Sequence, residues 1–426
     1  MSRMNKHANA DATYDMELSP EEQAMLRGEK GEAVQEAIRL QIEIAKFWGA
    51  KRMVPVTNVH IMGDMEVLGD AGKDFLTSVA AKNARAACAT TTNPRCVDFA
   101  FADRLGQDPE IVGKEMQVVS LFKTMNIAPV NTCINYQTVY QPHVGEHVAW
   151  GDTGTVIYAN SVFGARTNFE SGPAALAAAL TGRTAAYGFH LDENRKGTFL
   201  VEINFTPNDY ADWGAIGKLV GEMNQNYLAV PVFVGAGSPS SDELKHLGAA
   251  LAAYGSMAMF HMVGVTPEAR SVEDAFGGKQ PSHVMSISQA DIDAVYASYN
   301  TNGNPLDLVV FSGPQLSILE IAKLADLFRG KRVKPGTQVI VTTTNGVKSH
   351  ARQIGTLQTL EEAGVLILEG VCFYILQNLS QMRESNGWMN VITNSAKLAN
   401  NVGAHKLNGI LRKTSDCVDI ALGTGA

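Results

Sequence analysis

Short apolar runs alternate with helical stretches along most of this chain, and that alternation leaves few architectures open. Strand-like runs lie at 53–56, 86–89, 199–203, 230–234, 306–311, 338–342, 365–368 and 389–392, with a further apolar run at 127–130. Several are nearly continuous in apolar residues, as strands covered on both faces should be. Helical patterns at 173–180, 242–254, 290–299, 317–328 and 358–363 fall between many of them. The expected fold class is α/β, with largely parallel sheets wrapped by helices. Near the N-terminus, Leu18-Ser19-Pro20-Glu21-Glu22 reads as a helix start, with Ser19 as N-cap and Pro20 in the first helical position. A helical pattern continues to about Phe47, interrupted near Gly28 and Gly31.

At 426 residues the chain exceeds one typical domain, so two or three α/β units are expected. A hydrophobic fraction of 45% is ample for a core, while 18% charged residues is low and implies large buried areas, including against a partner. The net charge of −8, from 35 basic and 43 acidic residues, gives no basic face for nucleic acid. Five cysteines without a secretory signal argue for a reducing cytoplasm and against a disulfide framework. No apolar run approaches the ~20 residues needed to span a bilayer. Residues 1–16 read as a loose leader, 17–235 as a first α/β region, 236–403 as further α/β domains and 404–426 as a C-terminal tail. No long linker or charge run divides the chain; Gly235-Ala236-Gly237-Ser238-Pro239-Ser240-Ser241 is the best candidate break and Gly277–Ser282 the next.

Cys133 follows the run at 127–130 and Cys372 follows the run at 365–368. In open α/β sheets, ligands bind beyond the carboxyl ends of strands, where loops from separate units converge. Two thiols there can share one iron-sulfur cluster; equally, both can be small buried hydrophobes. The densest polar chemistry runs from Thr132 to Arg195. It includes Asp152-Thr153, Asn160-Ser161 and Arg166-Thr167-Asn168, interleaved with small residues that let a backbone approach a small polar ligand. Arg166 can hold a carboxylate through two parallel hydrogen bonds, or bridge loop carbonyls. Gly182-Arg183 and Asn194-Arg195 are weaker candidates of the same kind. His143-Val144-Gly145-Glu146-His147 fits a zinc hydrolase pattern, two histidines one helical turn apart with a glutamate base. Pro142 and Gly145 speak against a regular helix there.

The run Thr132-Cys133, Gly145-Glu146-His147-Val148-Ala149-Trp150, Tyr158-Ala159-Asn160-Ser161 and Gly164-Ala165-Arg166-Thr167-Asn168 resembles the large subunit or domain of the aconitase X family. Further similar stretches run from Leu18-Ser19-Pro20-Glu21-Glu22 through Val59-His60-Ile61 and His261-Met262-Val263-Gly264 to Thr393-Asn394-Ser395-Ala396-Lys397. The resemblance implies an aconitase-like multi-domain α/β/α fold, its sheets converging on a central iron-sulfur cluster, and a small swivelling domain or subunit that closes the site. It implies a hydro-lyase, acting on mevalonate 5-phosphate in archaeal members and on cis-3-hydroxy-L-proline in bacterial ones.

Carried onto this sequence, the resemblance makes Cys133 and Cys372 cluster ligands. The family's third cysteine falls on Gly313, within Ser312-Gly313-Pro314-Gln315, so a three-cysteine [4Fe–4S] cluster is in question. Ser312, Cys88 or Cys96 are alternatives for the third ligand, or a [2Fe–2S] cluster or single metal sits on two thiolates. Ser312 is equally an ordinary loop residue. Cys88, Cys96 and Cys417 are otherwise expected in the core. For the chemistry, Lys397, Ser395 and His60 are candidates to take the carbon-bound proton or hold the substrate, as is a base from the small partner. Arg166, Asn168, Thr167, Asp152, Thr153, Asn160, Ser161, His147 and Asn394 are candidate substrate-binding residues. Too few residues follow Lys397 for a swivelling domain, so a separate small subunit is expected. Phe169 stands where archaeal members carry an arginine, which favours cis-3-hydroxy-L-proline over a phosphorylated substrate. The alternatives are mevalonate 5-phosphate dehydration, a non-catalytic binding subunit, and a zinc hydrolase acting through His143 and His147.

Overall fold

The computed structural model describes residues 16–170 and 172–424. Apart from Met16, the leader expected at 1–16 lies outside the described residues. The expected α/β alternation is present, in three parallel sheets and one antiparallel pair. The first sheet orders Ala89–Thr92, Asn58–Ile61 and Ala149–Trp150. It shares one apolar cluster with helices Glu32–Trp48, Met65–Ala81, Pro109–Thr124 and Gly172–Thr181. Met53–Pro55 pairs antiparallel with Arg183–Ala185 beside it. The second sheet orders His261–Met262, Pro231–Val234, Phe199–Ile203 and Val284–Ile287. The third orders Leu366–Glu369, Gln338–Thr343, Leu308–Leu316, Asn390–Thr393 and Asn408–Leu411, and its central strand is buried along its whole length. Among the described residues, no helix is long and apolar enough to cross a membrane.

Local chemistry explains where the elements start. Ser19, Ser240 and Ser317 each cap a helix and exchange hydrogen bonds with Glu22, Glu243 and Glu320 three residues on, satisfying backbone groups that a helix end leaves open. The strand expected at 86–89 forms instead at Ala89–Thr92, where three β-branched threonines suit a pleated backbone. The run at 127–130 makes a single parallel bridge, Ala128 to Thr91, because Pro129 has no N–H to continue a ladder.

The sheets divide the chain differently from the expected boundaries. The break placed at residue 235 falls inside the second sheet, between Pro231–Val234 and its neighbour His261–Met262. In the stretch expected as a tail, Asn408–Leu411 is an edge strand, and helix Thr414–Leu422 sends Cys417, Val418, Ile420 and Ala421 into the third core.

A buried ionic network joins the second unit to the third. Lys245, in helix Ser241–Gly255, pairs with Glu320, in helix Ile318–Phe328. Asp242 lies 3.3 Å from Lys245 Nζ, and His246 Nε2 lies 2.7 Å from Glu320 Oε1. Burial opposes the charge on Glu320, but Lys245 and His246 outweigh it and hold the carboxyl at about 2. Removing one partner strands the other charge, so Lys245→Met should cost about 3–5 kcal/mol in urea unfolding. The Glu320 contribution is complete above the ordinary carboxyl value of ~4.3 and is lost as pH falls toward about 2. Glu320→Gln should flatten that acid limb, and an unchanged limb would contradict the account.

Candidate functional site

Cys133 and Cys372 meet where the first unit touches the third. Thr132 donates its N–H to the Thr92 carbonyl at 3.1 Å, so Cys133 sits just past the carboxyl end of Ala89–Thr92. Cys372 follows Leu366–Glu369 across Gly370 and Val371. Both cysteines are buried, and each thiol is close enough to shift the other's ionisation. Burial works against ionising Cys372, but Cys133, the Ser312 hydroxyl and the Lys397 charge outweigh it and bring the thiol below its ordinary range. The contact with Cys372 and then burial push Cys133 up, so the two thiols shift in opposite directions.

Ser312 Oγ lies 3.6 Å from Cys372 Sγ, and also contacts Thr342 Oγ1 at 2.6 Å and the Phe373 N–H at 3.1 Å. Gln315 lies against Cys133: its N–H points to the sulfur at 3.3 Å, and its Oε1 accepts the Cys133 N–H at 3.2 Å. Tyr374 faces Cys372, and burial together with the nearby Cys372 and Asp152 charges keeps its phenol protonated.

Lys397, buried in helix Ala396–Asn401, donates to Thr153 Oγ1 at 3.1 Å and lies 3.8 Å from Asp152 Oδ1. Asp152 Oδ2 caps helix Thr153–Tyr158, accepting from the Gly154 N–H at 2.8 Å and the Thr155 N–H at 3.3 Å. Thus Cys133, Cys372, Ser312, Lys397, Asp152 and Thr153 are brought together.

The other residues named for the chemistry are held differently. Ser395 caps its helix through the Leu398 N–H and donates to the Gly313 carbonyl. His60 Nε2 donates to the Thr132 carbonyl at 2.8 Å, and Nδ1 meets Thr91 Oγ1 at 2.8 Å. Burial lowers the His60 pKa to about 4. Both ring nitrogens are engaged, so His60 fixes the backbone before Cys133 rather than serving as a free base.

Most of the expected substrate-binding residues bond within the fold. Arg166 directs its fork at the His190 carbonyl and Asp192, and Asn168 bonds the Tyr187 carbonyl, the Phe189 N–H and the Tyr227 hydroxyl. Asn160 and Thr167 tie to each other, and Ser161 accepts from the Phe260 N–H. Asn394 bonds Thr414, Arg183 pairs with Glu21 and Glu22, and Arg195 pairs with Glu268. His147 stacks on His190 with Nδ1 atoms 2.8 Å apart. The zinc pattern has no helix to stand on: residues 144–145 form a turn with Gly145 at φ +80°, and Glu146 bonds Thr57, Tyr140 and His143. Among the described residues, no group of three or more His, Cys, Asp and Glu side chains could hold a metal.

Two thiols and one hydroxyl oxygen are therefore the donors on which the expected iron-sulfur group can be tested. A three-thiolate [4Fe–4S] cluster does not fit. Gly313 sits at φ +62°, and a Cβ on it would lie 3.3 Å from Leu398 Cβ and 3.4 Å from Tyr374 Cε1. Cys96 lies in the first core against Glu115, Cys88 packs beside the same core, and Cys417 is in the third core. A smaller group, held by Cys133 and Cys372 with the Ser312 oxygen, matches the donors present.

Sequence reasoning missed two residues beside the thiols. Tyr374 and Gln315 reach the thiols through folding alone. Asn135, two residues past Cys133, is fully buried, and neither atom of its carboxamide has a partner. Its position inside the polar run was the available signal.

Parallel α/β units closing on a buried thiol pair, with a lysine and a carboxylate beside it, define an aconitase-like enzyme. The chain belongs to the aconitase X family: profiles of the Aconitase X first, second and third domains match residues 15–193, 197–297 and 306–423. The phosphomevalonate dehydratase large subunit of Methanocaldococcus jannaschii is 33% identical over 393 residues, covering 90% of this chain and 94% of that protein. The cis-3-hydroxy-L-proline dehydratase of Hypocrea jecorina is 31% identical over 390 residues, covering 90% of this chain and 65% of that protein. The crystal structure of Thermococcus kodakaraensis aconitase X in its holo-form aligns with a TM-score of 0.85 and 32% identity, covering 95% of this chain and 100% of that one. Its relatives are dehydratases, so the chain is a hydro-lyase.

The locked histidine gives a direct check. The His60 ring should keep its proton on Nε2 and show no titration between pH 8 and pH 5 in nitrogen-resolved NMR. A midpoint near the ordinary value of ~6.5 would contradict the burial described here.

Proposed function

We propose that this chain is the large component of a dehydratase for a small, non-phosphorylated hydroxy acid of the cis-3-hydroxy-L-proline type. The observation that carries the reading is Lys397, a buried ammonium beside the thiol pair, in contact with Thr153 and Asp152. Removing a proton next to a carboxylate builds negative charge on the carboxylate oxygens. In this reading the Lys397 ammonium and the Thr153 hydroxyl bind that carboxylate and stabilise the developing charge. Asp152 is oriented for proton transfer: backbone N–H groups fix Oδ2, leaving Oδ1 to accept the proton. Asn135 offers one acceptor and two donors, which suit a substrate that carries both N–H and hydroxyl or carboxylate groups. Phe169 packs edge-on against Tyr227 at 5.4 Å and offers a phosphate nothing.

Cys133 and Cys372, with Ser312, are proposed to hold a [2Fe–2S]-type group. When bound, it supplies a Lewis acid for the departing hydroxyl. A separate small swivelling chain is proposed to complete the site, supported by relatives named large subunits of which this chain covers 94%. All five cysteines are unpaired, which supports a reducing cytoplasm.

A second reading, mevalonate 5-phosphate dehydration, is favoured by coverage: the chain spans 94% of the relative of that name in Methanocaldococcus jannaschii, but 65% and 69% of the two hydroxyproline dehydratases. The chain, reconstituted with iron, sulfide and a small partner, should dehydrate cis-3-hydroxy-L-proline and leave mevalonate 5-phosphate untouched. The opposite preference moves the assignment to the second reading, and turnover of neither supports a binding subunit.

Lys397→Met should lower kcat by about 100-fold or more with the fold intact. Asp152→Asn should lower kcat with little change in KM, because the amide oxygen can keep the helix cap. Asn135→Leu should raise KM while stabilising the chain by about 1 kcal/mol, since it removes a buried carboxamide without partners. A loss of stability with unchanged KM would remove Asn135 from the site.

A further inference from the structure

The strand that carries Gly313 offers no thiol to the site, yet two residues on it reaches both cysteine segments through one buried side chain. Gln315 Oε1 accepts the Cys133 N–H at 3.2 Å. Gln315 Nε2 lies 3.3 Å from the Asn131 carbonyl, 3.2 Å from that of Thr343 and 3.0 Å from that of Val371. Asn131 stands two residues before Cys133, and Val371 stands immediately before Cys372. One carboxamide thus ties the approach to each thiol to the same point, while the Gln315 N–H points at Cys133 Sγ at 3.3 Å.

We propose that Gln315 is the positioning residue that holds Cys133 and Cys372 in register for one shared metal centre; this rests on the reading of the two thiols as a ligand pair. The side-chain chemistry is demanding. The carbonyls need a donor and the Cys133 N–H needs an acceptor, which an amide supplies from one planar group. Glutamate would set an acceptor against the carbonyls, and asparagine is one methylene short. Partners that orient metal ligands typically contribute about 10–100-fold to affinity.

The test is cobalt(II) binding to the full chain, purified without oxygen and stripped of metal, read by thiolate-to-cobalt absorption with circular dichroism and thermal melting alongside. Wild type should bind one cobalt with the intensity of two thiolates, and Cys133→Ser should reduce that intensity. Gln315→Ala should weaken cobalt binding about 10–100-fold and bring the intensity per bound ion toward that of one thiolate. Gln315→His, which can donate from one nitrogen and accept at the other, should recover part of both. If Gln315→Ala does not fold, Gln315→Asn is read in its place. Unchanged affinity and intensity, or a lowered melting temperature with unchanged intensity per bound cobalt, would overturn the positioning role. Failure of wild type to bind cobalt would instead overturn the ligand-pair reading itself.

Discussion

The backbone of Arg95 lies against that of Gly370 and Val371, and the site depends on this contact between the first unit and the third. The Arg95 N–H donates to the Gly370 carbonyl at 2.8 Å, the Glu369 N–H donates to Asp98 Oδ2 at 2.9 Å, and the Arg95 guanidinium returns to the Glu369 carbonyl at 3.1 Å. A side chain at 370 would strain the backbone and displace the Arg95 guanidinium. Gly370 is at φ +68°, and a Cβ there would lie 2.7 Å from the Arg95 guanidinium. With this junction closed, the segment after Ala89–Thr92 and the segment after Leu366–Glu369 run toward each other, and each brings a cysteine. Sheet ends that would otherwise open into solvent then become a shared interior, where a thiol contact acquires electrostatic weight.

That interior shapes the charges. Buried ionisable groups persist when paired or hydrogen-bonded, and the chain follows this rule at two scales. Between the second and third units, Lys245, Asp242, His246 and Glu320 close a network that fixes helix Ser241–Gly255 to helix Ile318–Phe328. Beside the thiols, Lys397 faces Asp152 and Thr153 with a longer, looser geometry, 3.8 Å to the carboxylate. The first arrangement holds structure and has no donor to spare. The second leaves Lys397 and Asp152 less tightly engaged with each other, which is the looseness the proposed reaction asks of them.

The α/β class and the helix start at Ser19 were legible in the sequence because each leaves a local trace: apolar continuity, and a serine ahead of proline and acidic residues. The site's walls were not. Asn160, Thr167, Asn168, Arg166 and Arg195 form a dense polar run that resembles a binding loop, yet they satisfy backbone groups of an irregular segment that passes through the interior. Gln315 reaches Cys133 across 182 residues of sequence, and no periodicity encodes that distance. The strand shift from 86–89 to Ala89–Thr92 has a similar origin, since sheet pairing with Asn58–Ile61 outweighs local hydrophobicity.

Gly313 stands where the sequence resemblance leads us to expect a cysteine, and its surroundings are packed for a glycine. With Leu398 and Tyr374 packed close to the position a Cβ would take, the space is filled by hydrocarbon and a phenol rather than kept for a ligand. The surrounding groups carry the same logic: Ser395 holds the Gly313 carbonyl, Ser312 turns its oxygen toward Cys372 and Thr342, and Gln315 binds both cysteine arms. Each contributes a neutral hydrogen-bonding group where a third thiolate would have added negative charge. A centre held by fewer anionic ligands needs less positive charge to be neutral in a buried setting. A side chain at 313 would press on Leu398 and Tyr374, so the packing around this position is built for a glycine.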